Sequence, residues 1–436
     1  YKFRGADYRN VRLFRNDFPD APVVLLEQNY RSTQAILDVA QAVIQGGEKR
    51  KHEKRIWTEN ERGALVQIQE GYDQDDEAQQ VAAEIARITS SAEFEPRDIA
   101  IMYRTNAQSR ALEEALMARA LPYQLVGGTR FYERKEIKDA VAYLRLSYNP
   151  NDSIGFSRVL NWPGRGIGDR TEDELNRWAM SMNVPNYVAL QLLAEDPPPE
   201  HPFATRTRTA LLAFLALLDE LIAQREKGDL GALMDFLFGR VGFQEALLRE
   251  HGEDDGAERW ANIEELRNAA NNYVNMPIEN QLPTFLEEVA LVSDIDQVKE
   301  DRNTITCITL HQAKGLEYPV VFLVGLEEGL VPHSRSLDDK DALEEERRLF
   351  YVGATRAKQR LYLLYAFRRA TYGRTSLAQP SRFLADIPKS LVKPPARRAN
   401  TPSQQSNMFS GRSSFGSSST TAGAARAVAN RPTSRR

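Results

Sequence analysis

Short apolar runs of β type open and close this chain, and a long stretch of helical rhythm separates the two sets. The runs APVVLLEQN (21–29), ALVQIQE (64–70) and DIAIMYRT (98–105) come first. The runs TITCITL (304–310), YPVVFLVGL (318–326) and RLYLLYAF (360–367) come last. Between members of each set lie segments with apolar residues at three- and four-residue spacing, at 32–45, 75–88, 107–120 and 341–357. Strands alternating with helices predict a parallel α/β sheet flanked by helices. From about Gly128 to Arg302 the pattern is mostly helical, broken by GRGIGD (164–169) and DPPPEHP (196–202). The expectation is one parallel α/β sheet domain interrupted by a mostly helical inserted subdomain.

Composition narrows the class. The longest apolar run, Ala210 to Leu218, is far shorter than the roughly 20 residues that span a bilayer, so no membrane partner is expected. A single cysteine, Cys307, excludes an intrachain disulfide and fits a reducing, cytoplasmic setting. The five histidines show no metal-ligand spacing, and no metal site is expected. The net charge of −4 hides an asymmetry: seven arginines and no acid lie in 396–436, leaving 1–395 at −11. An acidic body needs local basic or aromatic sites to hold nucleic acid. The segment 389–436 is rich in Ser, Gly, Ala and Arg and is expected to be a disordered basic tail.

Four clusters carry chemistry: YKFRGAD (1–7), LEQNYRS (26–32), TLHQAKGLEYPVVFLVGLEEGLVPHSRS (309–336) and EEERRLFYVGATRA (344–357), the last followed by TYGR (371–374) and PSRF (380–383). Tyr30 and Arg31 follow the strand expected at 21–27, and ligands of open α/β sheets gather at the carboxyl ends of strands. A ring there can stack on a base, and a guanidinium can grip a phosphate at two points. Lys314, Gly315 and Glu317 fall in a strand–loop–strand turn, and Arg356 falls between a helix and a strand. Two arginines from distant segments can thus meet on one phosphate. Taken singly, a surface salt bridge accounts for each arginine and a core position for Tyr30. GRGIGD can present backbone amides to a phosphate, or be an ordinary tight turn.

The order and wording of these clusters resemble superfamily 1 DNA helicases of the UvrD/PcrA/Rep group. YKFRGAD resembles the tail of their third motif and QNYRS the fourth. TLHQAKGLE is similar to the fifth motif and EERRLFYVGATRA to the sixth. GGTRFYERKEIKDAVAYLRL (127–146) and NWPGRGIGDRT (161–171) resemble accessory motifs. The resemblance implies a RecA-like fold, with 1–27 ending a first RecA-like domain. It implies a second such domain in 28–125 and 303–388, split by a helical subdomain at 126–302, with the tail at 389–436. It implies ATP and Mg²⁺ as cofactors. It implies single-stranded DNA and single/double-strand junctions as partners, and 3′-to-5′ unwinding in DNA repair or replication restart.

Residue by residue, the resemblance implies that Tyr30 stacks on adenine and that Arg31 and Arg356 act as arginine fingers on the γ-phosphate. Glu317 then sits near the ribose, beside Gly315. Arg4 links the γ-phosphate region to the DNA. Tyr1, Phe3 and Tyr372 stack on bases, Phe3 replacing the group's usual tryptophan. Asn106, Thr309, His311 and His333 contact DNA, with His311 equally open to a coupling role between ATP and DNA or to that of a hydrogen-bonded turn histidine, and Gly166 and Gly168 meet the duplex. The phosphate-cradling loop G-x-x-x-x-G-K-[ST] is absent from the 436 residues. A fragment of a longer helicase is therefore expected, inactive alone, with the Mg²⁺ ligands in the missing part. Two rivals are an ATP-independent single-strand-binding or regulatory fragment and a helicase–nuclease subunit, for which no nuclease segment follows the motifs.

Overall fold

The computed structural model describes residues 14, 16–22, 24–47, 56–295, 303–371 and 374–394, and its described residues belong to one compact unit, Tyr1–Pro395. Its strands are β1 Gln67–Gly71, β2 Ile99–Tyr103, β3 Tyr123–Val126, β4 Ile305–Thr309, β5 Tyr318–Leu323 and β6 Ala357–Ala366, followed by a hairpin of β7 Arg368–Thr371 and β8 Arg374–Leu377. The first six form one sheet in the order β1-β6-β5-β2-β4-β3, and every neighbouring pair is parallel. β2 and β4 are buried at every residue, which is why β2 reads in sequence as an unbroken apolar run and β4 as one of apolar and β-branched residues.

Helices cover both faces. α1 Gln34–Gln45 packs with Phe350 and Leu349 on one side, and α2 Gln74–Ser90 and α3 Ser109–Ala118 cover the other. The side chain of Asp73 caps α2 by accepting from the Asp76 amide at 2.9 Å, and Asp75, Asp76 and Glu77 fill its first turn, where carboxylates complement the helix dipole.

Between β3 and β4 the chain is helical: α4 Lys135–Tyr148, α5 Ser153–Val159, α6 Asp169–Ser181, α7 Asn186–Leu193, α8 Thr205–Arg225, α9 Leu230–Val241, α10 Phe243–His251, α11 Glu253–Ala269 and α12 Ile278–Ile295. These helices bury their own core around Phe156, Phe214, Phe238, Phe243 and Phe285. No helix among the described residues is long and apolar enough to cross a membrane. After β5 comes α13 Lys340–Ala354, and after β8 comes α14 Arg382–Ala385.

Charge ties the hairpin to the sheet. Arg369 of β7 donates to both oxygens of Glu327, at 2.6 and 2.5 Å, and to Glu77 of α2 at 2.7 Å. Glu327 also accepts from the Ala366 amide at 2.7 Å, and Glu77 from the Gly325 amide at 2.8 Å. Both carboxylates are buried, Glu77 at 4% and Glu327 at 1% exposure, so each depends on this guanidinium for its countercharge.

Three expectations are corrected. Among the described residues, none of the run at 21–29 joins a sheet. Gln28 forms one isolated bridge with Trp57, and Val24 and Leu26 are each 79% exposed, since no described strand lies alongside to cover them. The helix expected over 107–120 is present but shorter, as α3, with a 3₁₀ turn, Asn106–Gln108, in place of its first residues. The tail read as disordered from 389 begins with ordered residues: the Val66 amide donates to Leu391 O at 3.3 Å and the Lys393 amide to Val66 O at 2.8 Å. The rest of that tail, 395–436, lies outside the described residues.

Candidate functional site

Two edges of the sheet carry the candidate residues. Tyr30, Arg31, Gly315, Glu317 and Arg356 gather at the amino edge, where β5 and β6 begin. This corrects the expectation that Tyr30 and Arg31 sit at the carboxyl end of a strand. With 21–29 outside the sheet, these residues lead into α1, and the Ser32 hydroxyl donates to Ala357 O at 2.6 Å, at the start of β6.

Asn29 shapes this lead-in. Its side-chain oxygen accepts from the amides of Arg31 and Ser32, each at 2.8 Å, a local turn that aims Arg31 across the edge. Arg31 Nε donates to Glu317 Oε2 at 2.6 Å, and its Nη1 donates to Thr355 O at 3.3 Å. Arg356 donates from Nε to Val352 O at 3.0 Å, from Nη1 to Leu316 O at 3.1 Å and from Nη2 to Thr355 Oγ1 at 3.4 Å. Both guanidinium groups therefore meet at Thr355. The Tyr30 ring is 79% exposed, which removes the core position as an account of it. Its hydroxyl donates to Gln28 Oε1 at 2.8 Å.

Lys358, which the sequence reading did not single out, completes this edge: its Nζ lies 2.8 Å from Glu317 Oε1. The hydrogen bond from Lys358, and then that from Arg31, pull the Glu317 carboxyl down to about 2. The pair should thus stay ionised well below the ordinary carboxylate range of about 4. A carbon-detected NMR titration of Glu317 is expected to find its midpoint near 2. A midpoint in the ordinary range would mean that the pair is open in solution. Gly315, in the same turn, has φ +90°, a backbone conformation that side chains strain to adopt, and the space above it is open.

The carboxyl edge holds Asn106 after β2, Thr309 and His311 at the end of β4, and His333 after β5. Thr309 Oγ1 donates to Gln312 Oε1 at 3.0 Å, and Gln312 Nε2 donates to Gly127 O at 3.2 Å, joining the ends of β4 and β3. Arg104 grips Glu346 through three contacts, the shortest 2.8 Å, and the His333 amide donates to Glu346 Oε2 at 3.1 Å. His333 Nδ1 accepts from the Arg335 amide at 3.3 Å, capping a short turn. Arg104, Gln312 and Glu346 were not anticipated. Gln312 and Glu346 fall within the quoted clusters, but their contacts with Gly127 and Arg104, 185 and 242 residues away, leave no local mark.

Burial, and then the Arg104 guanidinium, push the His311 imidazole down to about 4 from 6.5. The fold holds this ring neutral while the unfolded chain takes up a proton near pH 6.5. Its contribution is therefore intact at neutral pH and is lost progressively as pH falls from 6.5 toward about 4. His311→Gln is expected to flatten that part of the stability curve, read from urea denaturation at pH values above and below the window.

The loop at 161–168, between α5 and α6, lies elsewhere, in the helical segment. Gly166 has φ +75°, and nothing lies within 4 Å of the space above Gly164, Gly166 or Gly168. Tyr1, Phe3, Arg4 and Tyr372 lie outside the described residues. Among the described residues no group of three or more His, Cys, Asp or Glu is arranged to hold a metal ion.

Known proteins resemble this chain over most of its length. The family model of the UvrD-like helicase C-terminal domain matches residues 24–368. ATP-dependent DNA helicase PcrA of Bacillus subtilis (strain 168) is 41% identical over 399 residues, covering 90% of this chain and 53% of that protein. ATP-dependent DNA helicase UvrD1 of Mycobacterium tuberculosis (strain H37Rv) is 42% identical over 444 residues, covering 98% of this chain and 57% of that protein. PcrA of Staphylococcus aureus (strain NCTC 8325) is 39% identical over 400 residues, covering 90% and 53%. This chain spans about half the length of the curated relatives it matches. A match that runs from the lead-in to α1 through the last strand of the sheet, taking in both edges, makes this chain a member of the UvrD-like helicase C-terminal domain family.

Proposed function

We propose that this chain is the second RecA-like half, with the helical insertion, of an ATP-dependent DNA helicase that moves 3′ to 5′ in DNA repair or replication restart. The curated relatives are named ATP-dependent DNA helicases. The observation that carries the reading is the meeting of Arg31 and Arg356 at Thr355, beside an exposed Tyr30 ring. An exposed ring and two guanidinium groups suit the base and the terminal phosphate of ATP. Bound ATP supplies the free energy of the cycle. Tyr30 stacks on the adenine, Glu317 meets the ribose, Gly315 allows close backbone approach, Arg31 and Arg356 face the γ-phosphate, and Arg4 links that region to the DNA. Charge spreads over the phosphoryl oxygens in the transition state, and two fixed guanidinium groups offset it there. Among the described residues no group of three or more His, Cys, Asp or Glu is placed to hold Mg²⁺.

The carboxyl edge is assigned to single-stranded DNA, with Asn106, Thr309, His311 and His333 as polar contacts and Tyr1, Phe3 and Tyr372 as stacking rings. The loop with Gly166 and Gly168 is assigned to the duplex. The boundaries proposed are 1–27, 28–125, 126–302, 303–388 and 389–436. The chain by itself is proposed to be inactive toward ATP, since its 436 residues contain no G-x-x-x-x-G-K-[ST] loop. That absence also favours a second reading, an ATP-independent single-strand-binding fragment. The test compares DNA-stimulated ATPase of the chain with that of a fusion carrying an upstream ATP-binding half. Turnover by the fusion alone supports the helicase reading. Silence of both, with single-stranded DNA still bound, supports the second.

A further inference from the structure

Arg165 is the one basic side chain within GRGIGD, and its charge would ordinarily be assigned to a DNA phosphate. The structure turns it the other way. Its Nη1 donates to the carbonyls of Val159 at 2.8 Å, Leu160 at 3.2 Å and Trp162 at 2.8 Å. Its Nη2 donates to the Tyr143 hydroxyl at 2.6 Å. The guanidinium lies 5.9 Å from the centre of the Tyr143 ring and 5.2 Å from that of Phe214. Val159 and Leu160 end α5, where a helix leaves carbonyls without intrahelical partners. Arg165 satisfies them with a cation, which also complements the negative end of the helix. Tyr143 belongs to α4 and Phe214 to α8, so one side chain ties the loop to three helices.

The loop backbone is ordered from the same side. Asn161 Oδ1 accepts from the amides of Arg165 at 2.9 Å and Ile167 at 3.1 Å. Ile167 is buried at 2% exposure. Alternate residues therefore point inward. Gly166 and Gly168 lie exposed between and beyond them, and their amides donate no hydrogen bond to any described residue. Trp162 is held as well, its Nε1 donating to Glu250 Oε2 at 3.0 Å.

We infer that Arg165 is a positioning residue: it braces this loop from beneath, so that the exposed Gly166 and Gly168 amides, and not the guanidinium, meet a duplex phosphate. This rests on the reading of the loop as a duplex contact. A planar fork is required, because three carbonyls and a hydroxyl converge on one group, a geometry that a lysine ammonium cannot reproduce. A residue that merely contacts phosphate would behave differently, since lysine also binds phosphate as a point charge.

The experiment measures binding of the full chain to a fluorescent duplex with a 3′ single-stranded tail, and to the tail alone, across a salt series. Arg165→Gln and Arg165→Lys are both expected to weaken tailed-duplex binding, by about tenfold, leaving the slope of log affinity against log salt unchanged. Tail-only binding should be unaffected. Asn161→Ala, at an exposed position, loosens the loop without touching the buried rings and should show the same pattern. It keeps the test decisive if substitution of Arg165 impairs folding. Near-normal binding by Arg165→Lys, with Arg165→Gln reducing the salt slope by about one, would show a direct phosphate contact and overturn the inference. Equal affinity of the unsubstituted chain for tail and tailed duplex would remove the duplex reading itself, and the role of Arg165 with it.

Discussion

Alanine at Arg31 or Arg356 is expected to lower DNA-stimulated ATP turnover by ~10³-fold, measured in the fusion that carries an upstream ATP-binding half. The loss should fall on kcat and leave the apparent affinity for ATP little changed, because charge that develops only in the transition state is what a second guanidinium offsets. Lysine should not rescue either position. Each arginine is fixed by more than one acceptor, Arg31 by Glu317 and Thr355 and Arg356 by Val352 and Leu316, and an ammonium cannot span those pairs. The two substitutions combined should cost little more than the worse one, since both serve one group. A drop of less than about tenfold would mean that these arginines only brace the turn at Thr355, and the assignment of the amino edge to ATP would fail.

The largest effect on folding is expected at Arg369. Arg369→Ala should destabilise the protein by roughly 3–5 kcal/mol in urea denaturation, because it strands two buried carboxylates. Burial pushes the Glu77 carboxyl up from its ordinary value, and Arg369 offsets that push. Without the arginine, stability should therefore fall further as pH rises and the stranded Glu77 is driven to ionise. Replacing all three charges, by Arg369→Met with Glu77→Gln and Glu327→Gln, should recover most of the loss. A single substitution that costs under about 1 kcal/mol would show that water reaches the site and that the triad is not desolvated.

How far the sequence reveals this protein depends on whether the cause of each feature is local. The central strands declare themselves, since a parallel strand covered on both faces is mostly apolar or β-branched, as IAIMY and ITCIT are. The run at 21–29 has the same composition and misleads, because apolar character does not supply a neighbour to pair with. β3, with the sequence YQLV, is short and half polar, and the β7–β8 hairpin is built from RRAT and RTSL, so neither offers an apolar run to read. The motif residues Arg31, Glu317 and Arg356 were legible as a set through their resemblance to a known group. Thr355 and Lys358, which bring them together, were not, because a backbone carbonyl 324 residues from its partner leaves no mark on composition. Arg165 illustrates the opposite hazard, since sequence shows its charge and not the direction in which it points.

The sheet separates its two edges by the length of five- and six-residue strands whose interiors are filled on both sides. Such a slab bends little, and it works as a partition. On the proposed reading, fuel is spent on one side of it and the polymer is pulled on the other. Free energy must then travel around the strands, along the links that join one edge to the other. Most such links in this chain are helices bedded into a core. The segment 310–317 is not: it leaves β4 at the polymer side and enters β5 at the fuel side through a few turns and a glycine with open space above it. It is the shortest lever across the partition among the described residues. Substitutions that stiffen or lengthen it should alter how much movement each ATP yields before they alter how tightly either ligand is held.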